Sequence, residues 1–282
     1  GAPPDAFFTH GQDWGFPPSH PERARDSHHG CFIHSLRQQL RVAKVLRLDH
    51  VMSLNRLYWI PRGFTARDGV YVRYPAEELY AIVALESLRH EVVIVGEDLG
   101  MVPPETRAAM ARHGLRRSYV ALCETAPDPK RGLAPARAEA AASLSSHDMA
   151  PFAGFWRGDD LVDRVALAHL DAAALPAERA ARERLKRALV ATLRQGGQLA
   201  GRATPQAVMR AVQVYLAASP AEIVLVNLED LWLETRPQNV PGTSHERPNW
   251  RRPARLTLEQ MQSLAAVADV LAEIDRWRRV WG

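Results

Sequence analysis

The chain has 282 residues, of which 46% are hydrophobic and 24% are charged, a composition typical of globular domains. It contains no run of about 18 apolar residues, so no membrane-spanning helix and no membrane partner is predicted. The formal net charge is +4 with an isoelectric point near 9.3, but only three of the 36 basic residues are lysines. The arginines are scattered rather than grouped with aromatic residues, so nucleic acid is not an expected partner.

The cysteine content favours a cytosolic protein. Cys31 and Cys123 are too few for a disulfide framework, and neither has a metal-type spacing. The chain opens with Gly1 and a loop-like Gly-Ala-Pro-Pro-Asp stretch rather than with Met. We therefore expect this chain to be a fragment of a longer protein, with the upstream part missing.

Helices and short apolar strands alternate along the chain. Loops are predicted over 1–30, 63–73 and 237–253. The predicted helices are 32–41, 75–89, 103–114, two helices within 159–195 joined near Pro176, 206–218 and 258–280. The predicted strands are 45–48, 92–95, 118–122, 144–147 and 223–226, with an apolar aromatic segment at 57–61.

This alternation favours a parallel α/β sheet. A closed (β/α)8 barrel needs eight strands, so either three strands lie upstream of the five predicted here or the sheet is open. The chain has neither a Gly-x-Gly-x-x-Gly motif nor a P-loop, so nothing supports an open nucleotide-binding sheet.

Acidic residues follow several of the predicted strands. Asp49 follows the first strand, Glu97 and Asp98 follow the Val-rich strand at 92–95, and Asp148 follows the strand predicted at 144–147. Catalytic groups of (β/α) barrels lie at such strand ends. A retaining glycosidic transfer uses a nucleophilic and an acid/base carboxyl about 5 Å apart. Asp49 has the shorter side chain and suits the nucleophile. Glu97 suits the proton donor, because the apolar strand and Asp98 are both expected to raise its pKa.

The neighbours of these acids suit the same chemistry. Arg47 shares a strand face with Asp49 and is expected to keep it ionised. His50 and His147 are candidates for hydrogen bonds to sugar hydroxyls, and Asp148 for stabilising an oxocarbenium-like state. The alternatives are that the acids cap a turn or the helix near 103 and that the histidines are structural.

The segment Gly11–Gly15 places Gln12 and Trp14 between two glycines. These groups hydrogen-bond to sugars and stack on them, although an ordinary turn with a surface Trp fits the same spacing.

Several motifs together identify a family. The chain resembles the 4-α-glucanotransferases (amylomaltases, or disproportionating enzymes) of the wider α-amylase-like group. The motifs that carry the resemblance are Gly1–Asp5, Gly11–Gly15, Arg47–His50, Gly96–Gly100, Ser146–Asp148, Asn239–Thr243 and Asn249–Arg251.

The resemblance implies a (β/α)8 TIM barrel of which only the later strands are present. It also implies that residues 1–282 form the C-terminal portion of the catalytic barrel, with a helical insertion at about 159–218. Asp49 is implied as nucleophile, Glu97 as acid/base and Asp148 as transition-state stabiliser. No cofactor and no metal is implied. The implied substrate-binding residues are Asp5, Gln12, Trp14, Arg47, His50, Asp98, His147 and Asn239.

The implied reaction moves a 1,4-α-glucan segment from a maltooligosaccharide or glucan donor to the 4-hydroxyl of a glucose or maltooligosaccharide acceptor. Two alternatives stay open: hydrolysis, and a non-catalytic glucan-binding module that stacks sugars on Trp14, Trp59 and Trp250. Two departures from the family pattern are Ser146 where many members have Thr, and Met149-Ala150-Pro151 where others have Asn-Asp.

The family members are longer at the N-terminus. A barrel without its first strands exposes strand edges and lacks part of its core. We therefore expect the 282-residue chain expressed alone to be unstable or inactive, and the full-length protein to be an enzyme.

Overall fold

A computed structural model describes residues 1–5 and 9–280. The chain divides into two compact units, Gly1–Ser118 and Tyr119–Gly282. Each unit has a hydrophobic core of its own, so each is described by itself. Among the described residues, none of the helices combines the length and the apolar character needed to cross a membrane.

The first unit alternates short strands with helices. Its helices are α1 (Pro21–Asp26), α2 (Gly30–Leu40), α3 (Ala76–His90) and α4 (Pro104–Arg112). Its strands are β1 (Val45–Leu48), β2 (Arg56–Trp59), β3 (Val70–Arg73), β4 (Val93–Gly96) and β5 (Arg116–Val120), the last of which continues into the second unit. Short 3-10 turns lie at Val51–Leu54 and Ala66–Asp68.

Parallel pairing puts the ends of β1 and β4 side by side. Val45 lies opposite Val93, and Leu48 lies opposite Gly96. Strand β4 also pairs in parallel with β5, whereas β2 and β3 form an antiparallel hairpin. Since the carboxyl ends of parallel strands meet at one edge of a sheet, the residues that follow β1 and β4 come together.

The core of the first unit fixes the end of β4. Ile94 packs with Val83 of α3 and Met110 of α4 in one buried cluster. A Cβ added at Gly96 would lie 2.8 Å from the Met110 Cε and 2.9 Å from the Val51 Cγ2. A larger residue at the end of β4 would force Val51 or Met110 to shift, so glycine lets the strand pack this closely.

The second unit contains the remaining elements. Its strands are β6 (Ala140–Ser143) and β7 (Ile223–Leu225), which pair in parallel with Ala141 opposite Ile223. The Ala121 N–H, just beyond β5, donates to the Ser143 carbonyl at 2.9 Å. Its helices are α5 (Phe152–Arg157), α6 (Asp159–Ala166), α7 (Leu175–Gln195), α8 (Pro205–Ala217), α9 (Leu228–Leu231), α10 (Leu258–Ser263) and α11 (Ala265–Arg278).

The parallel α/β arrangement and most predicted elements are confirmed, with four corrections. The loop predicted over 1–30 contains α1, which begins at Pro21 after the His20 cap. Residues 6–8 of that predicted loop lie outside the described residues. The loop predicted over 63–73 contains β3, stabilised by pairing with β2. The strand predicted at 144–147 lies at Ala140–Ser143. The terminal helix is interrupted at Leu264, whose backbone is extended.

Substitution of Gly96 by Ala is expected to destabilise the protein by about 1–3 kcal/mol, because the added methyl group overpacks the contact with Met110 and Val51. The measurement is the unfolding free energy of the full-length protein in denaturant. Gly30→Ala is the matched control, since a Cβ there meets no atom within 4 Å and Gly30 begins a helix. We expect it to be neutral or slightly stabilising. Equal losses from both substitutions would contradict the packing argument.

Candidate active site

Glu97 follows β4 directly, and its carboxylate is held by backbone groups. The Glu97 N–H donates to the Leu48 carbonyl at 2.8 Å, which extends the pairing of β1 and β4 by one residue. One carboxylate oxygen, Oε2, accepts the His50 N–H at 2.8 Å, and Oε1 accepts the Leu99 N–H at 2.7 Å. These bonds fix the orientation of the carboxylate at the edge of the sheet.

The pKa of Glu97 is raised above its usual value. The residue is only 9% exposed, and the loss of water around the carboxylate is the largest cause. The two backbone N–H groups oppose this shift, the charge of Asp49 adds to it and the charge of Arg47 opposes it. The expected direction is confirmed, but the neighbouring charge that contributes is Asp49 rather than Asp98. A raised pKa suits a carboxyl that donates a proton.

Asp49 has the opposite environment. Its side chain is 73% exposed, and its Oδ1 lies 2.6 Å from an Nη atom of Arg47. The two residues lie on the same side of the chain at the end of β1, as the alternation along a strand predicts. The guanidinium places a positive charge beside the carboxylate that was expected to act as nucleophile.

Asp98 is a correction to the predicted substrate contacts. Its side chain is 0% exposed, and its Oδ2 lies 3.1 Å from Arg107 Nε and 2.7 Å from Arg117 Nε. Its Oδ1 accepts the Ser118 N–H at 3.0 Å. Both oxygens are therefore occupied inside the first unit, where Asp98 joins β4, α4 and β5. A buried carboxylate bound in this way is structural, so we exclude it from the substrate site.

The first loop brings Trp14 against His50. Their rings lie edge to face with centroids 5.0 Å apart, and the Trp14 Nε1 donates to the Gln12 side chain at 3.2 Å. Residues Ala2 and Gln12 exchange two backbone hydrogen bonds of 2.9 Å, which anchor the loop. Asp5 lies partly buried in the same loop. Trp14, with Gln12 bonded to it, therefore lies near the carboxylate pair through His50.

His50 connects the loop with the carboxylates. Its backbone is left-handed, with φ +46°, and its N–H is the donor to Glu97. Burial lowers the pKa of the imidazole, although the charge of Asp49 acts in the other direction. A neutral imidazole offers one donor and one acceptor to a sugar hydroxyl.

Asp148 belongs to a separate polar group in the second unit. Its Oδ1 accepts the Asn239 side-chain amide at 2.7 Å, and its Oδ2 lies 3.2 Å from His147 Nε2. Its N–H donates to the Ser146 hydroxyl at 3.3 Å. The predicted residues His147, Asp148 and Asn239 are thus brought together. His147 and Asp148 lie in a turn beyond Ser143, the last residue of β6, rather than directly at the strand end, and Asn239 comes from the loop that follows α9.

The late loop supplies an aromatic side chain to this group. Trp250 is 61% exposed, and its ring centroid lies 5.7 Å from that of His147. Its φ is +59°, an uncommon conformation for a bulky residue, and its N–H donates to the Gln238 carbonyl at 2.8 Å. The preceding Asn249 accepts the Val240 N–H at 3.1 Å and so closes the loop. Trp250 lies in the Asn249–Arg251 motif of the resemblance, but the sequence predicts a stacking role for it only in the alternative of a non-catalytic module.

Asp230 is a buried carboxylate that the predicted site omitted. It accepts the Phe152 N–H at 2.7 Å and the Ser145 hydroxyl at 3.3 Å. Burial is the largest cause that raises its pKa to about 6, and nearby Glu229 adds to the shift. The acids after the last predicted strand were visible in the sequence, but nothing there distinguished Asp230 from Glu229.

The carboxylate pair of the first unit defines a chemical class. An exposed carboxylate beside a cation and a buried carboxyl with a raised pKa follow neighbouring parallel strands. This division between nucleophile and proton donor is typical of retaining enzymes that act on glycosidic bonds.

Comparison with known proteins identifies the family. The sequence model of the family described as 4-alpha-glucanotransferase matches residues 1–258, and the chain belongs to this family. A 4-alpha-glucanotransferase of Mycobacterium bovis is 38% identical over 263 residues, which cover 90% of this chain and 36% of that protein. One of Haemophilus influenzae is 34% identical over 288 residues, which cover 99% of this chain and 41% of that protein.

A solved structure gives the same result for the fold. The crystal structure of amylomaltase from Corynebacterium glutamicum matches with a TM-score of 0.88 and 27% identity, over 97% of this chain and 42% of that one. The expected fold class, later strands of a (β/α) barrel, is thereby confirmed. The chain spans about two fifths of the length of the relatives it matches.

Asp230→Asn is expected to change the pH dependence of stability. A carboxyl whose pKa is about 6 in the folded protein and about 3.8 unfolded stabilises the fold below pH 3.8, and this contribution is lost as pH rises through 6. The Asn side chain cannot ionise, so the variant does not lose this contribution. The unfolding free energy of Asp230→Asn relative to wild type should therefore rise by up to about 3 kcal/mol between pH 4 and pH 7.5. Denaturant unfolding of the full-length protein at several pH values measures this. A difference that is independent of pH contradicts it.

Proposed function

We propose that the protein is a 4-α-glucanotransferase that transfers a 1,4-α-glucan segment to the 4-hydroxyl of an acceptor sugar. The observation that carries the proposal is the buried Glu97 carboxyl with its raised pKa beside the exposed Asp49 and its Arg47 partner. Membership of the family and relatives named for this activity support it.

The first step forms a covalent glycosyl-enzyme. A carboxylate oxygen of Asp49 attacks the anomeric carbon of the donor, and the glycosidic carbon–oxygen bond breaks. Glu97 gives its proton to the departing 4-oxygen, so the released chain leaves as a neutral alcohol. The raised pKa of Glu97 keeps more of the protonated acid available at neutral pH than an ordinary carboxyl would.

The second step reverses these roles. The Glu97 carboxylate removes the proton from the acceptor 4-hydroxyl, whose oxygen attacks the anomeric carbon. The ester bond to Asp49 breaks, which restores the free carboxylate of Asp49 and the protonated acid of Glu97. A 4-hydroxyl of glucose or of a maltooligosaccharide as acceptor gives transfer, whereas water as acceptor gives hydrolysis.

The remaining site residues are proposed to bind and distort the sugar. Asp148, held by His147 and Asn239, is proposed to bond two sugar hydroxyls and stabilise the oxocarbenium-like transition state. Further hydrogen-bonding and stacking partners are proposed to be Asp5, Gln12, Trp14, Arg47, His50, His147 and Asn239.

Trp250 is a proposed addition to this set. Its exposed indole lies against His147, and its strained backbone is held by the Gln238 carbonyl. A strained, exposed aromatic residue beside a carboxylate group offers a stacking surface for the apolar face of a glucose ring.

The domain organisation and location remain predictions of the sequence. We propose that residues 1–282 form the C-terminal portion of the catalytic barrel, with helices at about 159–218 inserted into it. The cytosolic location expected from the two cysteines stays a prediction.

Glu97→Gln tests the proton donor. In the full-length protein incubated with maltotriose, wild type should give glucose together with longer maltooligosaccharides. Glu97→Gln should lower kcat about a thousandfold or more, because a neutral amide cannot transfer the proton. The products are resolved by chain length.

Glu105→Gln is the matched control, since Glu105 is exposed at the start of α4 and should retain wild-type activity. Wild-type products that are all shorter than maltotriose would establish hydrolysis instead, and no products at all would favour a binding module. Full activity in Glu97→Gln would remove the acid/base assignment.

Trp250→Ala tests the stacking surface. We expect kcat/KM for maltotriose to fall about tenfold, equivalent to about 1.4 kcal/mol, whereas Trp250→Phe should retain most of it because a ring remains. Trp277→Ala in α11 is the control for loss of a partly exposed indole. The stacking role is rejected if Trp250→Ala and Trp277→Ala have the same kcat/KM.

A further inference from the structure

Asp230 is fully buried in the second unit, yet the reaction proposed above gives it no role. It lies on α9, just after β7, where the Asn227 side chain accepts the Glu229 N–H at 3.3 Å and caps the helix. Its two carboxylate oxygens have different donors. Oδ1 accepts the Phe152 N–H at 2.7 Å, and Oδ2 accepts the Ser145 hydroxyl at 3.3 Å.

These two donors flank the turn that carries Asp148. Ser145 comes just before the turn, and Phe152 begins α5 just after it. Within the turn, the Met149 N–H donates to the Ser146 carbonyl at 3.2 Å, and Pro151 has no N–H to donate. One buried carboxylate therefore ties both ends of the segment 145–152 to the same point in the core.

We propose that Asp230 is a positioning residue for glucan transfer, which fixes the Asp148 carboxylate by holding both ends of the Ser146–Asp148 turn. This inference rests on the proposed function, because it acts through the role given there to Asp148. A displacement of about 1 Å in a reacting or stabilising group can lower the rate about 100-fold. The gain in rate from a fixed turn can therefore outweigh the loss of stability from a buried carboxylate.

The burial of a carboxylate at this position is itself costly, as the raised pKa of Asp230 shows. The charged groups near Asp230 do not reduce this cost. The charge of Glu229 raises the pKa of Asp230 further, and Arg252 pairs with Glu229, at 3.1 Å, rather than with Asp230. An apolar side chain would fill the space without this cost but would bond neither donor. The two directed hydrogen bonds are therefore the property that distinguishes Asp230 from a packing residue.

The chemistry of the two bonds separates three substitutions. Asn at position 230 retains an oxygen for the Phe152 N–H and offers an amide N–H to the Ser145 hydroxyl, which can accept it. Ala at position 230 removes both bonds. Ala at position 145 removes only the bond to Oδ2 and leaves the Phe152 bond in place.

The test is the kinetics of maltotriose disproportionation by the full-length protein. Asp230→Ala should lower kcat about 30-fold to 100-fold with KM within about twofold, because Asp148 acts on the transition state. Asp230→Asn should stay within about threefold of wild type, and Ser145→Ala should lie between the two. Glu86→Ala is the control: Glu86 is a buried carboxylate of the first unit, bound by Arg37 and Arg89, and its loss should reduce stability without reducing kcat.

A second comparison asks whether Asp230 acts through Asp148. In an Asp148→Asn background, Asp230→Ala should cost less than about threefold, because there is no longer a carboxylate to position. The same fold-loss in both backgrounds would overturn the proposal, as would an unchanged kcat in folded Asp230→Ala. If Asp230→Ala does not fold, Ser145→Ala decides: a reduced kcat supports the proposal and an unchanged kcat overturns it.

The two proposals fail in different ways. A wild-type protein that makes no longer maltooligosaccharides contradicts glucan transfer itself. A wild-type protein that transfers normally, with Asp230 variants that do so equally well, contradicts only the positioning role.

Discussion

The parallel pairing of β1 with β4 is the constraint on which the carboxylate pair depends. Leu48 lies opposite Gly96, so the residues that follow, Asp49 after β1 and Glu97 after β4, are neighbours. The Glu97 N–H continues the pairing to the Leu48 carbonyl, and the His50 N–H returns to the Glu97 carboxylate. A shift of one residue would separate these groups, so the backbone register itself sets the geometry of the pair.

The same arrangement gives two similar side chains different chemistry. Glu97 lies at the end of a strand packed on both sides, where the absence of a side chain at Gly96 lets Val51 and Met110 approach. Asp49 extends into solvent beside Arg47. Burial thus favours the protonated form of one carboxyl, while a cation accompanies the other. The electrostatic division needed for a retaining transfer follows from packing rather than from the sequence of the acids alone.

Part of this could be predicted from the sequence because it depends on local patterns. Short apolar runs located β1, β4 and β7 to within a few residues. Strand β6 was displaced because its sequence, Ala-Ala-Ala-Ser, lacks the β-branched and aromatic residues that mark a strand. Strand β3 was missed because its flanking residues have a loop-like sequence. The strand is stabilised by its pairing with β2, which the local sequence does not indicate.

The site could be predicted to the level of motifs but not of partners. Asp49, Glu97 and Asp148 stand out because each follows a strand or lies beside a histidine. The roles of Asp98 and Asp230 depend on residues far along the chain. Asp98 meets Arg107 and Arg117, and Asp230 meets Ser145. Spacing in the sequence contains no information about such contacts.

Three of the buried acids, Glu97, Asp98 and Asp230, differ in the groups that hold them. Asp98 has two guanidinium groups and a backbone N–H, so its charge is matched within the fold. Glu97 and Asp230 are held by N–H and hydroxyl groups, which direct a carboxyl without neutralising it, and both have raised pKa values. Such a group is unfavourable for stability alone. In Glu97 this cost accompanies the proposed proton-transfer role, and in Asp230 it accompanies two hydrogen bonds to the residues that flank the turn of Asp148.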